Sequence, residues 1–187
     1  MKTSKWAIPR IAGATDTLQL EDYLRTIPDF PQKGIQFKDI TPLLRDPAAF
    51  HQAIDSMSAH LKNVGVNTIV AIEARGFILG APIALGLSAH LVPIRKAGKL
   101  PAKTFSEQYS LEYGSATIEM HQDGIEPGDR VAIVDDVLAT GGTLLAAAKL
   151  IEKAGAQVVA ISVLIELLEL KGRDSLRNYT LKSLLTF

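Results

Sequence analysis

The segment richest in chemistry is Val131-Ala132-Ile133-Val134-Asp135-Asp136-Val137-Leu138-Ala139-Thr140-Gly141-Gly142-Thr143. Two carboxylates follow the apolar run Arg130 to Val134, which reads as a buried strand, and a loop of two threonines and two glycines then opens into a helix over 143–154, ended by Gly155. Such a loop suits an anion. Glycine lets the backbone approach closely, the first N–H groups and the positive end of the helix dipole attract phosphate, and Thr140 and Thr143 add hydroxyl donors. Open α/β sheets bind ligands beyond the carboxyl ends of their strands, where this loop falls. Neither G-x-x-x-x-G-K-[ST] nor G-x-G-x-x-G occurs, so the loop differs from those two phosphate cradles. Its mark is the acid pair: carboxylates beside a phosphate repel it unless they hold something else, and ribose hydroxyls or a bridging Mg²⁺ would serve.

Two further clusters sit at strand ends. Glu73-Ala74-Arg75-Gly76 follows the β-branched run Thr68 to Ile72, where Arg75 offers a fork of donors matched to phosphate. Arg95, Lys96 and Lys99 follow a strand at His90 to Ile94 and form a local basic cluster. Two basic strand ends beside a phosphate loop point to a polyanion site. The four histidines, at 51, 60, 90 and 121, lack metal-ligand spacing, and the absence of cysteine excludes a disulfide scaffold and a thiolate metal site.

The elements that must position these groups alternate strand and helix. Asp46-Pro47 predicts a helix start, and Phe50, Ile54, Met57 and Leu61 continue at helical spacing over 47–63. A helix over 77–87 and a strand over 157–165 follow the same grammar, whereas 100–110 reads as a mobile loop and 111–121 as a hairpin. The predicted fold class is α/β: a central, mostly parallel sheet flanked by helices, with right-handed crossovers. The first 40 or so residues and the last 20 fit that scheme poorly and are expected to cap one end.

At 187 residues the chain is expected to form a single domain over 1–187, without repeats or low-complexity tracts. Lys and Arg number 20, against 20 Asp and Glu, so no summed basic field supports binding of nucleic acid or an anionic membrane. No apolar window approaches the ~20 residues that span a bilayer, and the N-terminus lacks the uninterrupted apolar stretch of a secretory signal. A cytoplasmic protein is expected.

Val-Asp-Asp-Val-Leu-Ala-Thr-Gly-Gly-Thr, residues 134–143, resembles the phosphoribosyl diphosphate (PRPP) signature of type I phosphoribosyltransferases. That signature does not say which base is used. Phe30-Pro31-Gln32-Lys33-Gly34-Ile35-Gln36-Phe37-Lys38-Asp39-Ile40-Thr41, Glu73-Ala74-Arg75-Gly76-Phe77, Arg95-Lys96-Ala97-Gly98-Lys99-Leu100-Pro101 and Tyr109-Ser110-Leu111-Glu112-Tyr113-Gly114 resemble the adenine-specific branch. The resemblance covers about residues 20–173. It implies transfer of 5-phosphoribosyl from PRPP to adenine, giving AMP and pyrophosphate with Mg²⁺, in a homodimer with a small N-terminal hood and a flexible closing loop.

The resemblance also implies the roles. Ala139, Thr140, Gly141, Gly142 and Thr143 would hold the 5-phosphate, and Asp135 and Asp136 the ribose hydroxyls and, with PRPP, the Mg²⁺. Glu73, Ala74, Arg75, Arg95, Lys96, Lys99 and Tyr113 would bind pyrophosphate, with a cis peptide between Glu73 and Ala74. The Gln36, Phe37 and Lys38 segment would read adenine through its backbone, with Leu138 also near the base; many relatives carry an apolar residue at 36 and Arg at 38. Phe37 could equally be a core aromatic. Glu112, the candidate for handling the purine proton, could equally be a solvated acid. A phosphoribosyltransferase for another base, a PRPP-sensing regulator and a receiver-type signalling domain are the alternatives.

Overall fold

The computed structural model describes residues 17–110 and 114–187. Its contacts fall into two compact units, one closing at Ser56 and the other opening at Met57. In the first unit, β1 (Arg25–Pro28) and β2 (Gln36–Asp39) form a two-stranded antiparallel sheet, with Ile27 opposite Phe37. Two helices follow, α1 (Thr41–Arg45) and α2 (Pro47–Ala59). Asp46 caps α2, its Oδ1 accepting the N–H groups of Ala48 and Ala49 at 2.9 Å each, which satisfies two orphan donors of the first turn. The regular helix stops at Ala59, short of the expected 63, because the chain tightens into 3-10 turns before the left-handed Gly65.

The carboxylate of Asp39 knits this unit together. It receives the Nε of Arg25 at 3.0 Å, the N–H of Thr41 at 2.9 Å and its hydroxyl at 2.8 Å. Burial alone would raise the Asp39 carboxyl, but the Thr41 N–H, the Arg25 fork and the Thr41 hydroxyl together hold it below the ordinary range.

The second unit is built on a seven-stranded sheet of order β5-β6-β4-β3-β7-β8-β9. Its strands are β3 (Thr68–Ile72), β4 (His90–Lys96), β5 (Thr104–Ser110), β6 (Ser115–His121), β7 (Arg130–Leu138), β8 (Gln157–Glu166) and β9 (Leu181–Thr186). From β4 through β9 the pairing is parallel, and the β5–β6 hairpin joins β4 antiparallel. The helices α3 (Arg75–Leu87) and α4 (Gly142–Lys153) cover opposite faces. Strand alternation explains this: Val70 and Ile72 enter the main core with Leu144, Ala147, Ala148 and Ile151 of α4, while Ile69 and Ala71 lie under Gly80 of α3. No helix among the described residues is long and apolar enough to cross a membrane.

Four further expectations are corrected. Residues 104–110 form a strand, not a loop: the alternation of Phe105, Glu107 and Tyr109 is a period-2 pattern hidden by polar composition, and Phe105 and Tyr109 pack against the core. The hairpin is therefore β5–β6 rather than 111–121. The C-terminal residues do not cap the sheet but extend it, since β9 pairs with β8 from Ile161↔Leu181 to Glu166↔Thr186. Finally, β7 runs through the acid pair to Leu138 instead of stopping at Val134.

Close packing of α3 on β3 depends on Gly80, where a Cβ would stand 2.6 Å from that of Ala71. Both elements are rigid and buried there. Gly80→Ala should therefore lower stability by about 1–3 kcal/mol through overpacking, read as a drop in the urea midpoint at unchanged m-value.

Candidate functional site

Three adjacent strands, in the order β4-β3-β7, end at one edge of the sheet. Parallel pairing requires this, because it aligns their carboxyl ends: Ile72 pairs with Ile94, and Ala71 with Val134. The loops after these strands carry the expected basic groups and the phosphate loop, so the structure brings those groups together within the second unit.

Beyond β7, Ala139, Thr140 and Gly141 turn the chain into α4, which begins at Gly142. Gly141 adopts φ +85°, a left-handed conformation that favours glycine, and it forms the N-terminal boundary of α4 without a side-chain cap. The uncapped first turn leaves backbone N–H groups, including those of Gly142 and Thr143, as anion donors. Thr140 is exposed and Thr143 partly so, so both hydroxyls can reach a ligand.

Asp135 and Asp136 lie within β7, both buried, and alternate across the sheet. Asp136 is ion-paired with the Nε of Arg75 at the start of α3. The Oδ1 of Asp135 accepts the N–H of Asp136 at 2.9 Å. Burial, then the charge of neighbouring Asp136, pushes the Asp135 carboxyl well above the ordinary carboxylate range.

Glu73 closes β3 and organises the basic cluster. Its Oε2 accepts the Nε of Arg95 at 3.1 Å and the backbone N–H of Lys96 at 3.2 Å, while Oε1 receives Nζ of Lys99 at 3.0 Å. Arg95 also donates to the Lys99 carbonyl at 3.0 Å. Burial would raise the Glu73 carboxyl, but the hydrogen bonds from Lys99, Lys96 and Arg95 hold it below the ordinary range. One carboxylate thus orients two cations and leaves a net positive surface, on which the Lys96 side chain is exposed. The peptide joining Glu73 to Ala74 is cis, as expected.

The remaining expected residues divide. In the first unit, Gln36 is exposed, Phe37 packs edge-on against Phe30 with centroids 5.2 Å apart, and Lys38 donates to the Thr26 hydroxyl at 3.0 Å. Leu138, expected near the base, is instead fully buried in the core cluster, so its side chain presents no surface to a ligand. Glu112 and Tyr113 lie outside the described residues. Among the described residues no group of three or more His, Asp or Glu could hold a metal.

The sequence reading missed what stands behind the phosphate loop. Gly172 and Ser175 of the 3-10 helix Gly172–Leu176 press against residues 139–141, and Arg173 between them grips the buried Glu166. The available signal was Glu166 itself, an acid directly after the largely apolar stretch 158–165, which demands a cation when buried.

The raised Asp135 carboxyl links stability to pH. The native state retains a proton that the unfolded chain releases, so this group's contribution is fully present below the ordinary carboxylate range and is lost as pH rises through the elevated native value. Asp135→Asn should flatten that part of the decline when ligand-free unfolding free energies are compared across pH 4–8.

Residues 40–184 match the model of the phosphoribosyl transferase domain family. An adenine phosphoribosyltransferase of Roseiflexus castenholzii is 54% identical over 171 residues, covering 91% of this chain and 99% of the relative. The crystal structure of adenine phosphoribosyltransferase from Thermoanaerobacter pseudethanolicus superposes with a TM-score of 0.88 at 50% identity, covering 90% of this chain and 98% of that one. The Saccharomyces cerevisiae enzyme, solved with an imino-altritol bisphosphate and adenine, gives a TM-score of 0.85 at 41% identity, covering 88% and 96%. These likenesses establish that the chain, with its glycine-threonine loop, buried acid pair and ordered cations at one sheet edge, belongs to the adenine phosphoribosyltransferase family.

Proposed function

We propose that this protein transfers the 5-phosphoribosyl group of PRPP to adenine, forming AMP and releasing pyrophosphate. The observation that carries this reading is the convergence of an anion-binding helix start, two buried carboxylates and a carboxylate-ordered pair of cations at the ends of β7, β3 and β4. A phosphate at each end of a ribose needs that combination.

The reaction breaks the C1–O bond, with the electron pair leaving on pyrophosphate, and joins C1 to N9 of the base, which loses its proton. Residues 139–143 anchor the 5-phosphate, and the carboxylates of Asp135 and Asp136 accept hydrogen bonds from the ribose hydroxyls. Arg75, Arg95, Lys96 and Lys99, with Tyr113, draw the charge of the leaving group. Asp136 and Arg75 form an ion pair. PRPP offers each a better partner: hydroxyl donors for the carboxylate and phosphate oxygens for the guanidinium. Binding therefore exchanges one internal ion pair for two ligand contacts, and the transition state gains from a carboxylate that is already buried. Closure of the segment that includes Glu112 would exclude water, and Glu112 would take the N9 proton.

A backbone carbonyl and N–H of the 36–38 segment read the adenine amino group and N1, with Phe37 against the ring. Hypoxanthine reverses both partners and is rejected. For Mg²⁺ the donor set fits the kind of site in which one or two carboxylates join substrate oxygens; Asp135 and Asp136 would hold it with PRPP. When bound, it neutralises charge on the pyrophosphate. The protein works in the cytoplasm as a homodimer. The exposed Ile78 and Leu85, two turns apart on α3, and exposed Leu91 support the dimer.

Pyrophosphate release from PRPP and Mg²⁺, measured with adenine, hypoxanthine, guanine, xanthine and orotate separately, should occur with adenine alone. Silence with every base alongside calorimetric binding of PRPP would replace the enzyme with a sensor. Asp135→Asn combined with Asp136→Asn should cut turnover about a hundredfold or more while the circular dichroism spectrum is retained; near-normal activity would remove the ribose assignment.

A further inference from the structure

We infer that Arg173 is a positioning residue for the 5-phosphate loop, acting through its neighbour Gly172. The inference rests on the reading of residues 139–143 as that loop.

Glu166 is the last residue of β8 and pairs in register with Leu138, the last residue of β7. The next residue, Leu167, donates its N–H to the Leu138 carbonyl at 2.9 Å. After a short turn the chain comes back at Gly172 and lies directly on the phosphate loop. A Cβ on Gly172 would stand 2.1 Å from the Ala139 carbonyl oxygen and 2.9 Å from the Gly141 nitrogen. From the other side, a Cβ on Gly141 would stand 2.5 Å from the Gly172 carbonyl oxygen and 2.3 Å from Oγ of Ser175. Two backbones therefore meet with no room for a side chain, and among the described residues no hydrogen bond joins 139–142 to 172–175. Contact alone sets the loop's rear wall, so the loop's shape depends on what holds that wall.

The holder is the Arg173 guanidinium. It donates Nε to Oε1 of Glu166 at 2.9 Å and Nη2 to Oε2 at 2.5 Å, and it reaches the Leu181 carbonyl with Nη1 at 3.2 Å. Ser183 completes the carboxylate, its Oγ donating to Oε2 at 2.6 Å. Glu166 is only 4% exposed, and the bonds from Arg173, against the effect of burial, hold its carboxyl below the ordinary range. A two-pronged fork on a buried carboxylate fixes direction as well as distance. It ties residue 173 to the ends of β8 and β9, and so fixes Gly172 behind the loop. The exposed Arg177–Asp174 pair, one turn along, has no such anchor.

Loss of the fork should disturb the 5-phosphate end of the site and spare the pyrophosphate end, which is ordered by Glu73 just after β3. Calorimetry with ribose 5-phosphate and, separately, with magnesium pyrophosphate distinguishes the two. Arg173→Gln should weaken ribose 5-phosphate about ten- to a hundredfold, as a small misplacement of binding groups does, and leave pyrophosphate within about twofold. KM for PRPP should rise in parallel with kcat little changed, and Arg173→Lys, which restores charge without the fork, should recover only part of the affinity. Unchanged ribose 5-phosphate binding, or equal loss of both ligands, would overturn the inference. Should Arg173→Gln fail to fold, Ser183→Ala decides in its place, with about a fivefold loss expected for ribose 5-phosphate alone and equal or absent losses overturning. Wild-type protein that binds no ribose 5-phosphate would instead overturn the reading of the loop itself, and the inference with it.

Discussion

Parallel pairing of β4, β3, β7 and β8 is the constraint from which the rest of the second unit follows. Parallel strands cannot be joined by tight turns, so each must return through a crossover, and α3 and α4 bury opposite faces of the sheet in doing so. The same pairing brings every strand's carboxyl end to one edge. Residues separated by some sixty positions, Arg75 and Asp136 among them, become hydrogen-bonding neighbours there. Helices that start at that edge turn their uncapped N–H groups toward the same space.

An edge that gathers anion-binding groups must also hold its own carboxylates without repelling the anion. This chain does so in three ways. Glu73 is outnumbered by Arg95 and Lys99, which it aligns; Asp136 is covered by Arg75; and burial together with its neighbour's charge raises the carboxyl of Asp135 above the ordinary range. None of these arrangements leaves an isolated buried charge, which would cost several kcal/mol. Glu166 obeys the same rule for a different end, since its cation holds backbone in place behind the loop.

Much of this was legible in the order of residues. Alternation of β-branched runs with helical spacing marks β3, β4, β7, β8, α2, α3 and α4 to within a few positions, because strands buried on both faces and amphipathic helices leave strong periodic signals. β5 and β9 escaped because a half-exposed strand carries polar residues on alternate positions, here Ser106 and Gln108, and Glu107 interrupts the apolar face that Phe105 and Tyr109 share, so the segment looks like a loop until its partner strand is known. The end of β7 was placed too early for a related reason: aspartate disfavours strands on average, yet here Asp135 pairs with Val163 of β8 and the strand runs on through Asp136 to Leu138.

By itself the sequence determined the kinds of chemistry available: a glycine-threonine loop at a helix start, an adjacent acid pair, and arginine and lysine at two strand ends. These are local properties, readable from neighbours along the chain. Tertiary structure alone decided who partners whom. Arg75 on Asp136, Glu73 beneath Arg95 and Lys99, Leu138 in the core, and Gly172 pressed on Gly141 by the Arg173 fork all join residues distant in sequence. Partnership and protonation depend on distance and burial, which exist only once the parallel sheet has aligned its strand ends.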